Sequence, residues 1–540
     1  MNVLGVNAVF HDPAAALVVD GVVVAAAEEE RFSRRKHGKP AVPFSTWELP
    51  EASARWCLSQ AGIEARDLDV VAYSYDPSLA APADGDITID GWEALRTLYA
   101  QRAGRFMSSV LPGLRDDVLR YVPHHVAHAA SAHLAAPYGD SAVMVLDGRG
   151  ERTSYLAGAA RGGRMEVLAT QALPHSLGLL YEEVTEHLGF RRSSDEYKVM
   201  ALASYGSPVM TEILREHVHV DGDGGFRTYP VDWETLAPRA RGGRLDGVHA
   251  DLAASVQRVL QETVGDLADW LHRATGLSSL SMAGGVALNC VANTALIERG
   301  PFRRIWVQPA AGDSGTALGA ALHVAAQREL VRPMRTAALG RGFSEAEIED
   351  ELRRARIPYE RPADLAEAVA QTLAEDGVVG WFQGRSEFGP RALGQRSLLA
   401  SPASAGTTAR LNDIKGREQF RPVAPMVLAS RAAEVFSGGP LPSPYMLFVH
   451  RVRPAWASRI PAVVHVDGTA RAQTVDPLEL PLMARVLTAF EARTGLPVLV
   501  NTSFNTAGRP MVDSPRDALE CFGSSPIDLL AIGPFTVRRP

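Results

Sequence analysis

The stretch VLGVNAVFHDPAAALVVDGVVVAAAEE, residues 3–29, contains three apolar runs that are separated by short turns. Apolar runs rich in valine and bounded by turn residues are typical of β-strands. The pair Asp20–Gly21 between two such runs is a strong signal for a β-hairpin. The segment therefore predicts three consecutive strands, with His11 and Asp12 in the first turn.

A related pattern returns from residue 141, in the order SAVMVLD, GRGE, RTSYLAGAA, RGG and RMEVLATQAL. In both copies a polar or glycine-rich turn joins the first two strands. A duplication of this kind predicts two similar lobes that face a cleft. Residues 249–276 then predict a helix, because apolar residues recur at helical spacing and Gly276 is a typical C-cap.

The chain is too long for one hydrophobic core, so more than one domain is expected. The segment RELVRPMRTAALGRGF, residues 328–343, has no clear period and reads as a linker. A second α/β segment begins after it. The sequence predicts an α/β protein with domains 1–340 and 341–540.

Composition excludes several classes of protein. The chain is 46% hydrophobic and 22% charged, as in globular proteins, and its net charge of −7 offers no basic face for nucleic acid. No basic and apolar leader begins the chain, and no apolar run reaches the ~20 residues of a membrane span. Cys57, Cys290 and Cys521 are scattered, so a disulfide framework is not expected. These features predict a cytoplasmic protein with no nucleic-acid or membrane partner.

Lysine is rare, since only Lys36, Lys39, Lys198 and Lys415 stand among 55 basic residues. A coding bias toward arginine explains the general trend. Where lysine survives inside a motif, its compact ammonium group can have a specific role. Lys198 and Lys415 are therefore functional candidates, whereas Lys36 and Lys39 lie in RFSRRKHGK, which we interpret as a solvated loop.

Histidines cluster in VPHHVAHAASAH, residues 122–133. His124 and His128 have the i, i+4 spacing that places two side chains on one helical face. Asp147 ends a predicted strand, and Asp313 stands in a similar context. Two imidazoles and two carboxylates suit Fe(II), Mn(II) or Zn(II). The alternative is a helix with packed core histidines.

Three glycine loops lie at residues 147–151, 283–289 and 311–319. Backbone N–H groups of such loops can bind phosphate, so together they predict a nucleotide cleft. Ordinary turns are the alternative. The candidate nucleotide contacts in these loops are Gly148, Gly150, Glu151, Gly284, Gly285 and Asn289.

The second domain carries basic residues in turn-rich segments such as GRSEFGPRALGQRS and LNDIKGREQFRP. Arginine forks with serine and asparagine groups are suited to polyanionic phosphates, although a solvated surface could also carry them. The basic residues are Arg385, Arg391, Arg396, Lys415, Arg417, Arg421 and Arg471.

Taken together, FHDPAAALVVDG, EEERFSRRKHG, HHVAHAASA, DGRGE, GPRALGQRSLL and NTSFN resemble the O-carbamoyltransferases of antibiotic biosynthesis. That family includes the nodulation, tobramycin, cephamycin, novobiocin and geldanamycin carbamoyltransferases, and the resemblance spans nearly the whole chain. It implies a duplicated actin-like ATPase-fold N-terminal domain and a YrdC-like α/β C-terminal domain.

The resemblance also implies a reaction. The second domain would convert carbamoyl phosphate and ATP, accompanied by Mg²⁺, into carbamoyl-adenylate with release of phosphate and pyrophosphate. The first domain would then pass the carbamoyl group to a hydroxyl of a natural product, and AMP would leave. The implied cofactor is Fe(II) or another divalent transition metal, and a homodimer is left open.

Several residues match the family's site motifs. The implied metal ligands are His124, His128, Asp147 and Asp313, with His125 and His133 left either as structural residues or as residues that support the ligands. The implied catalytic base is His11, because a hydroxyl needs a base of near-neutral pKa, and Asp12 would orient it or bind the acceptor. Lys198 falls near the nucleotide of the first domain. The implied carbamoyl phosphate site consists of Arg391, Lys415, Arg421, Arg471, Ser503 and Asn505.

Competing functions are a tRNA threonylcarbamoyl transferase, a hydrogenase-maturation carbamoyltransferase and a non-enzymatic actin-like scaffold. The acceptor is the least defined substrate. Residues 74–120 carry apolar side chains that form either core or a pocket for a large apolar acceptor, such as a macrolide or glycosylated polyketide. Those side chains are Trp92, Leu95, Leu98, Tyr99 and Phe106.

Overall fold

A computed structural model describes residues 1–38, 49–80, 93–240, 242–506 and 508–539. The chain separates into two compact units, Met1–Arg335 and Thr336–Pro540. The separation lies slightly before residue 340, where the sequence predicts the boundary.

The first half of unit 1 is built on a five-stranded sheet, and its first turn holds His11 and Asp12. The strands are β1 (Asn2–Asn7), β2 (Ala14–Val19), β3 (Val22–Glu28), β4 (Val70–Tyr73) and β5 (Leu119–Tyr121). The helices are α1 (Glu30–Ser33), α2 (Glu51–Ala61), α3 (Glu93–Gln101), α4 (Ala103–Val110) and α5 (His124–His133).

The second half of unit 1 repeats this plan with a second five-stranded sheet and a separate two-stranded ribbon. The strands are β6 (Ser141–Leu146), β7 (Thr153–Arg161), β8 (Arg164–Ala172), β9 (Val218–Val220), β10 (Phe226–Thr228), β11 (Ser279–Ala283) and β12 (Arg304–Val307). The helices are α6 (Leu177–His187), α7 (Glu196–Leu202), α8 (Thr211–Arg215), α9 (Trp233–Leu236), α10 (Gly247–Thr275), α11 (Cys290–Arg299) and α12 (Ser314–Ala325).

The two sheets share one topology. The first has the order β3-β2-β1-β4-β5 and the second the order β8-β7-β6-β11-β12. In each, the first three strands are antiparallel neighbours, and the remaining two continue the sheet in parallel. The predicted duplication is therefore confirmed, and unit 1 has the actin-like ATPase fold.

The local predictions for unit 1 are also confirmed. Asp20 and Gly21 have φ values of 49° and 72°, as a two-residue hairpin turn requires. Helix α10 ends at Thr275, and Gly276 follows in the left-handed region, with φ of 66°. Glycine adopts this conformation without the steric cost that a Cβ imposes.

Helix α12 is held unusually close to its neighbours by small residues. A Cβ built on Gly319 would lie 1.7 Å from the carbonyl oxygen of Ala127 in α5, and one on Gly5 of β1 would lie 1.8 Å from that of Ala317. Only hydrogen at these positions allows such contacts. The close packing fixes the beginning of α12, where Asp313 lies, relative to the histidines of α5.

Replacing Gly319 with alanine is expected to destabilise unit 1, because the added methyl group must force α5 and α12 apart. Overpacking of this kind costs about 1–3 kcal/mol of unfolding free energy. The matched control is Gly265→Ala in α10, where an added Cβ meets nothing within 4 Å. That change should stabilise the protein by about 0.5–1 kcal/mol. Urea denaturation of both variants tests the pair, and equal effects would contradict the close contact.

Unit 2 is an α/β unit whose main sheet has the order β19-β15-β20-β14-β13-β21-β22, alongside a small sheet β16-β17-β18. The strands are β13 (Val379–Phe382), β14 (Arg396–Ala400), β15 (Ala424–Leu428), β16 (Phe436–Ser437), β17 (His450–Val452), β18 (Thr469–Ala470), β19 (Gln473–Val475), β20 (Val498–Ser503), β21 (Leu529–Ile532) and β22 (Phe535–Arg538). The helices are α13 (Glu345–Arg354), α14 (Leu365–Ala374), α15 (Gly406–Lys415), α16 (Ala432–Val435), α17 (Pro454–Ala457), α18 (Pro481–Thr494) and α19 (Pro515–Ser524).

The apolar side chains proposed for an acceptor pocket divide between packed and exposed positions. Tyr99 and Phe106 stack on each other with ring centroids 5.0 Å apart, beside the buried Met107. Leu98 is 40% exposed. Trp92 and the side chain of Leu95 lie outside the described residues. Tyr99 and Phe106 are both half-buried, so the acceptor pocket stays a prediction.

Across the described ranges, every helix is too short or too polar to cross a lipid bilayer.

Candidate functional site

Helix α5 presents its histidines to the interior of unit 1. His124 and His128 are fully buried, and their ring centroids lie 4.7 Å apart. The Nδ1 atom of His124 lies 3.2 Å from the carbonyl oxygen of Ser74. Because a carbonyl can only accept, this contact places the proton on Nδ1 and directs the Nε2 lone pair into the cluster.

Asp147 follows strand β6 and is positioned by two glycines. Its Oδ1 accepts a hydrogen bond from the backbone N–H of Gly285 at 2.8 Å, which leaves Oδ2 facing the histidines. Gly284 has φ of 93°, and a Cβ there would lie 2.2 Å from the carbonyl oxygen of Leu146. Gly284 and Gly285, predicted as nucleotide contacts, thus bring the loop against the end of β6 and hold the carboxylate.

Asp313 immediately precedes α12 and completes the cluster. Its Oδ1 lies 3.6 Å from Nε2 of both His124 and His128. Oδ2 of Asp147 lies 3.5 Å from His124 and 3.9 Å from His128. The structure therefore brings together all four predicted ligands, each of them buried.

A cation fits this arrangement. Among the described residues, Nε2 of His124 and both ring nitrogens of His128 are buried without a hydrogen-bond partner. A buried polar group left unpaired costs about 1–3 kcal/mol. Two ligand atoms bonded to one ion at about 2.0–2.2 Å lie roughly 3–4.4 Å apart. The measured separations are within this range, so the residues present suit a divalent transition metal.

The charges of the cluster also favour a bound cation. Burial opposes a charge on His124, but Asp147 and Asp313 raise its pKa to about 10. Burial likewise opposes ionisation of Asp147, yet the neighbouring histidines hold its pKa well below the usual range. A positive charge is therefore strongly favoured between the carboxylates, and a metal ion can supply it in place of a proton.

His125 also faces the cluster, which agrees with the interpretation of this residue as one that supports the ligands. Its Nδ1 lies 2.6 Å from Oγ1 of Thr153, and its Nε2 is buried 3.8 Å from Oδ2 of Asp147. A Cβ on Gly150 would lie 3.0 Å from the His125 ring. Gly150, predicted as a nucleotide contact, thus makes room for this imidazole.

His11 lies at the edge of the cluster, in the turn between β1 and β2. Its Nδ1 is 2.9 Å from Oδ2 of Asp12, and its Nε2 is 3.8 Å from Oδ2 of Asp313. A third of the His11 side chain is exposed. Burial alone would lower the pKa of His11, but Asp313 and Asp12 raise it well above the usual value. The structure therefore joins the predicted base, its predicted orienting carboxylate and a predicted metal ligand.

His37 is a contact that the sequence interpretation missed. Its Nδ1 lies 2.7 Å from Oδ1 of Asp12. The interpretation of RFSRRKHGK as a solvated loop is wrong for this residue and for Arg31, which is 2% exposed. Lys39 lies outside the described residues. One signal in the sequence could have identified His37. It is a titratable residue that directly follows Lys36, one of only four lysines in the chain.

Glu151 and Asn289 were predicted as nucleotide contacts, but their side chains make hydrogen bonds within the protein. Oε1 of Glu151 accepts hydrogen bonds from the backbone N–H groups of Asp76 at 2.8 Å and His124 at 2.9 Å. The side chain of Asn289 caps α11 by accepting from the N–H of Ala292, and it also exchanges hydrogen bonds with Gln257. Both side chains therefore serve to orient the elements around the cluster.

The first turn of α7 and the residue before it carry further polar groups. Nζ of Lys198 lies 3.0 Å from Oδ2 of Asp195. Glu196 has a buried Oε1 without a hydrogen-bond partner among the described residues, and burial raises its pKa to about 7. A Cβ on Gly148 would lie 3.3 Å from Oε1 of Glu182. The nucleotide-binding roles of Gly148 and Lys198 stay predictions.

In unit 2, Lys415 ends α15 and is 5% exposed. Its ammonium group donates to Oγ of Ser503 at 3.0 Å and to Oδ1 of Asn505 at 2.5 Å. It also contacts the backbone oxygens of both residues. Three of the predicted carbamoyl phosphate residues therefore form one cluster.

The three predicted arginines each come a few residues before a strand of the main sheet. Arg471 precedes β19, Arg421 precedes β15 and Arg391 precedes β14, whereas Ser503 ends β20. Strand β20 runs antiparallel to β15 and β14, and β19 runs parallel to β15. These strand ends therefore lie at the same end of the sheet, and each of the three arginines is half-buried.

Other basic residues of unit 2 hold the loops together. Arg396 is fully buried and donates to the carbonyl oxygens of Gln383 at 2.6 Å and Arg341 at 2.9 Å. Arg385 donates to the carbonyl of Gly340 and Arg417 to Oδ1 of Asn412. The contacts of Arg396 are structural, which corrects the interpretation that placed it among phosphate-binding residues, whereas phosphate binding by Arg385 and Arg417 stays a prediction.

Two family models match the chain. The model described as carbamoyltransferase N-terminus covers residues 2–80 and 110–322, and the one described as carbamoyltransferase C-terminus covers residues 370–539. Together they extend over most of both units.

Curated relatives agree with these matches. The uncharacterized protein sll1178 of Synechocystis is 37% identical, over 100% of this chain and 97% of its own. The nodulation protein NolNO of Sinorhizobium fredii is 38% identical, over 99% of this chain and 80% of its own. Among solved structures, HypF of T. kodakarensis is 16% identical with a TM-score of 0.40, over 60% of this chain and 47% of that chain, a similarity too weak to decide between functions. The family models and the extent of these relatives set aside a non-enzymatic scaffold: the chain belongs to the carbamoyltransferase family and is a carbamoyl-transferring enzyme.

Proposed function

We propose that this enzyme is an ATP-dependent O-carbamoyltransferase that acts on a hydroxyl of a natural product. In unit 2, water cleaves carbamoyl phosphate to carbamate and phosphate, and a carbamate oxygen then attacks the α-phosphorus of ATP, which forms carbamoyl-adenylate and releases pyrophosphate. In unit 1, the acceptor oxygen attacks the carbamoyl carbon, its proton passes to a base, and the bond to AMP breaks. The observation that carries the proposal is the buried His124, His128, Asp147 and Asp313 cluster with His11 at its edge.

His124, His128, Asp147 and Asp313 would hold the metal, with Fe(II) as the proposed ion. When bound, such an ion supplies electrostatic stabilisation of the negative charge that develops during acyl transfer. The mixed nitrogen and oxygen donor set is one that Fe(II), Mn(II) and Zn(II) all accept.

His11 is the proposed general base. An alcohol has a pKa far above 7, so its attack is accelerated by a group that removes the proton. Nε2 of His11 faces Asp313 and is partly exposed, whereas Nδ1 is engaged by Asp12. Because a base must be unprotonated, a cation beside Asp313 would be needed to offset the two carboxylates that raise the His11 pKa.

Lys415, Ser503 and Asn505 are the proposed centre of the carbamoyl phosphate site. Nζ of Lys415 is held in place by the oxygen atoms of Ser503 and Asn505. Its compact positive charge is therefore already positioned for a phosphate group. Arg391, Arg421 and Arg471 at the same end of the sheet would add charge-assisted hydrogen bonds.

The test of this function uses purified full-length protein reconstituted with Fe(II). Carbamoyl phosphate, Mg-ATP and a panel of hydroxyl-bearing natural products, including macrolides, polyketides and glycosides, are supplied together. Phosphate, pyrophosphate and AMP are followed in time, and mass spectrometry detects an acceptor heavier by one carbamoyl group. Pyrophosphate release that does not depend on carbamoyl phosphate would contradict the proposal.

Replacing Lys415 by alanine is expected to raise the apparent KM for carbamoyl phosphate and to slow pyrophosphate release. The change removes charge-assisted hydrogen bonds worth roughly 1.5–3 kcal/mol each, which corresponds to at least about tenfold in kcat/KM. Arg391→Ala should act in the same direction.

The matched control for these variants is Arg516→Ala. That arginine side chain is 76% exposed and pairs with Glu520 on the surface of unit 2. Its replacement should leave pyrophosphate release at the wild-type rate. Wild-type kinetics in both Lys415→Ala and Arg391→Ala would place carbamoyl phosphate elsewhere.

A further inference from the structure

Asp12 is shared by two histidines. Its Oδ2 binds Nδ1 of His11 at 2.9 Å, and its Oδ1 binds Nδ1 of His37 at 2.7 Å. The carboxylate therefore cannot rotate without breaking one of these contacts. His37 thus binds the carboxylate oxygen that His11 does not, and it comes 25 residues after Asp12 in the chain.

His37 is itself held at two further points. Its backbone N–H donates to Oε2 of Glu30 at 2.8 Å, and its Nε2 lies 3.0 Å from Oγ of Ser194. Glu30 belongs to the first half of unit 1 and Ser194 to the second half. The imidazole therefore joins the two halves of the duplicated fold at the proposed catalytic turn.

The backbone around this network is strained. Asp12, His37 and Ser193 have φ values of 53°, 59° and 55°, in the left-handed region that side chains with a Cβ rarely adopt. Such residues concentrate where the surrounding structure holds a functional group in place. Asp12, its partner His37 and the residue before Ser194 share this conformation, which indicates that the network is held under constraint.

We propose that His37 is a positioning residue for carbamoyl transfer. By binding Oδ1 of Asp12, it fixes the carboxylate so that Oδ2 retains the Nδ1 proton of His11. The Nε2 atom of His11 then points toward Asp313 with its lone pair available for the acceptor proton. The inference rests on the proposed role of His11 as general base and extends the base–carboxylate pair by a third member.

Asp12, Glu30 and His37 also have ligand atoms close enough to share a cation. Nδ1 of His37 is already hydrogen-bonded to Asp12, and Nε2 is engaged by Ser194, so no lone pair of this imidazole is directed at an ion. The contacts therefore favour positioning over metal binding, and a metal count distinguishes the two.

The test compares His37→Ala, His37→Asn and the control His219→Ala in the full-length, metal-loaded protein. Asparagine retains a donor near the place of Nδ1 and can restore the contact with Asp12. His219 is exposed on β9 and contacts only the carbonyl of Glu216 among the hydrogen bonds assigned to its ring. Metal content and thermal unfolding show whether each variant is folded and loaded.

The first readout is the downfield proton resonance of the hydrogen-bonded His11 Nδ1–H in histidine-¹⁵N-labelled protein, assigned by its loss in His11→Ala. It needs no acceptor. In His37→Ala this resonance should disappear through exchange with water, and in His37→Asn it should persist. An unchanged His11 resonance in His37→Ala would overturn the positioning role.

The second readout is the rate of transfer to the acceptor that the panel identifies, measured beside pyrophosphate release. His37→Ala should lower the kcat of transfer on the order of 10²-fold, as expected for a misplaced catalytic group, with pyrophosphate release unchanged. His37→Asn should recover most of the loss. Equal losses in both variants, or loss of a second metal ion in His37→Ala, would also overturn the proposal. Full transfer in His11→Ala would instead refute the base role on which it rests.

Discussion

Replacing His124 by alanine is expected to leave a folded protein that binds no transition metal and transfers no carbamoyl group. Nε2 of His124 faces both carboxylates of the cluster, at 3.5 and 3.6 Å. Its removal leaves one imidazole, and among the described residues His125 is the only other imidazole beside Asp147, outside the four-residue group. Metal content should fall from about one ion per chain to near zero, because affinity depends on the complete ligand set. Asp147→Ala should have the same effect.

Metal analysis by mass spectrometry and a competition titration with Co(II) measure this outcome. The control is His133→Gln, at the other end of the same helix, which should keep the metal and the transfer activity. Pyrophosphate release by unit 2 should persist in every variant and shows that the protein remains competent. Full transfer activity in a demonstrably metal-free protein would refute the metal assignment.

His11→Ala is expected to separate the two half-reactions. His11 lies in unit 1, whereas carbamoyl-adenylate is proposed to form in unit 2. Pyrophosphate should therefore still be released when carbamoyl phosphate and ATP are supplied. Carbamoylated acceptor should fall on the order of 10²–10⁴-fold, the usual contribution of a positioned general base. The intermediate would then react with water, giving AMP without product.

The decisive quantity is the ratio of pyrophosphate released to acceptor carbamoylated. If His11 only stabilises the β1–β2 turn, the variant should lose stability and both activities together, and the ratio should stay at the wild-type value. His219→Ala is again the control, since its side chain is exposed and remote in sequence from the turn. An unchanged ratio would reject the base role.

Much of the fold could be predicted because its signals are local. Asp20–Gly21 identifies a hairpin from two adjacent residues, and Gly276 identifies the end of α10 in the same way. The duplication was visible because both copies keep the same order of strands and turns. The extent to which α12 approaches β1 and α5 could not be predicted, because it depends on Gly5, Gly319 and the backbone they meet, which are far apart in the sequence.

The candidate site was predictable where a residue that can bind a metal also stands at a revealing position in a helix or strand. Asp147 and Asp313 stand next to element ends, and His124 and His128 share a helical face. His37 was missed because its partner Asp12 is brought to it only by the folding of strands β1–β3. Arg396 was misinterpreted because a charged residue in a loop reads as a ligand-binding group, whereas here four carbonyl oxygens surround its guanidinium group.

The cluster is assembled from residues that the ribosome adds at very different times. His124, His128 and Asp147 emerge within one short stretch, but Asp313 follows only after the whole second sheet has been made. Early segments of a nascent chain begin to fold before later ones are translated. Helix α12 must therefore dock against elements that have already been translated, β1 at the start of the chain and α5 at residues 124–133. Binding of the proposed ion by all four residues therefore requires residue 313 to have been translated, because a product that stops before it carries three of the four ligands and no complete site.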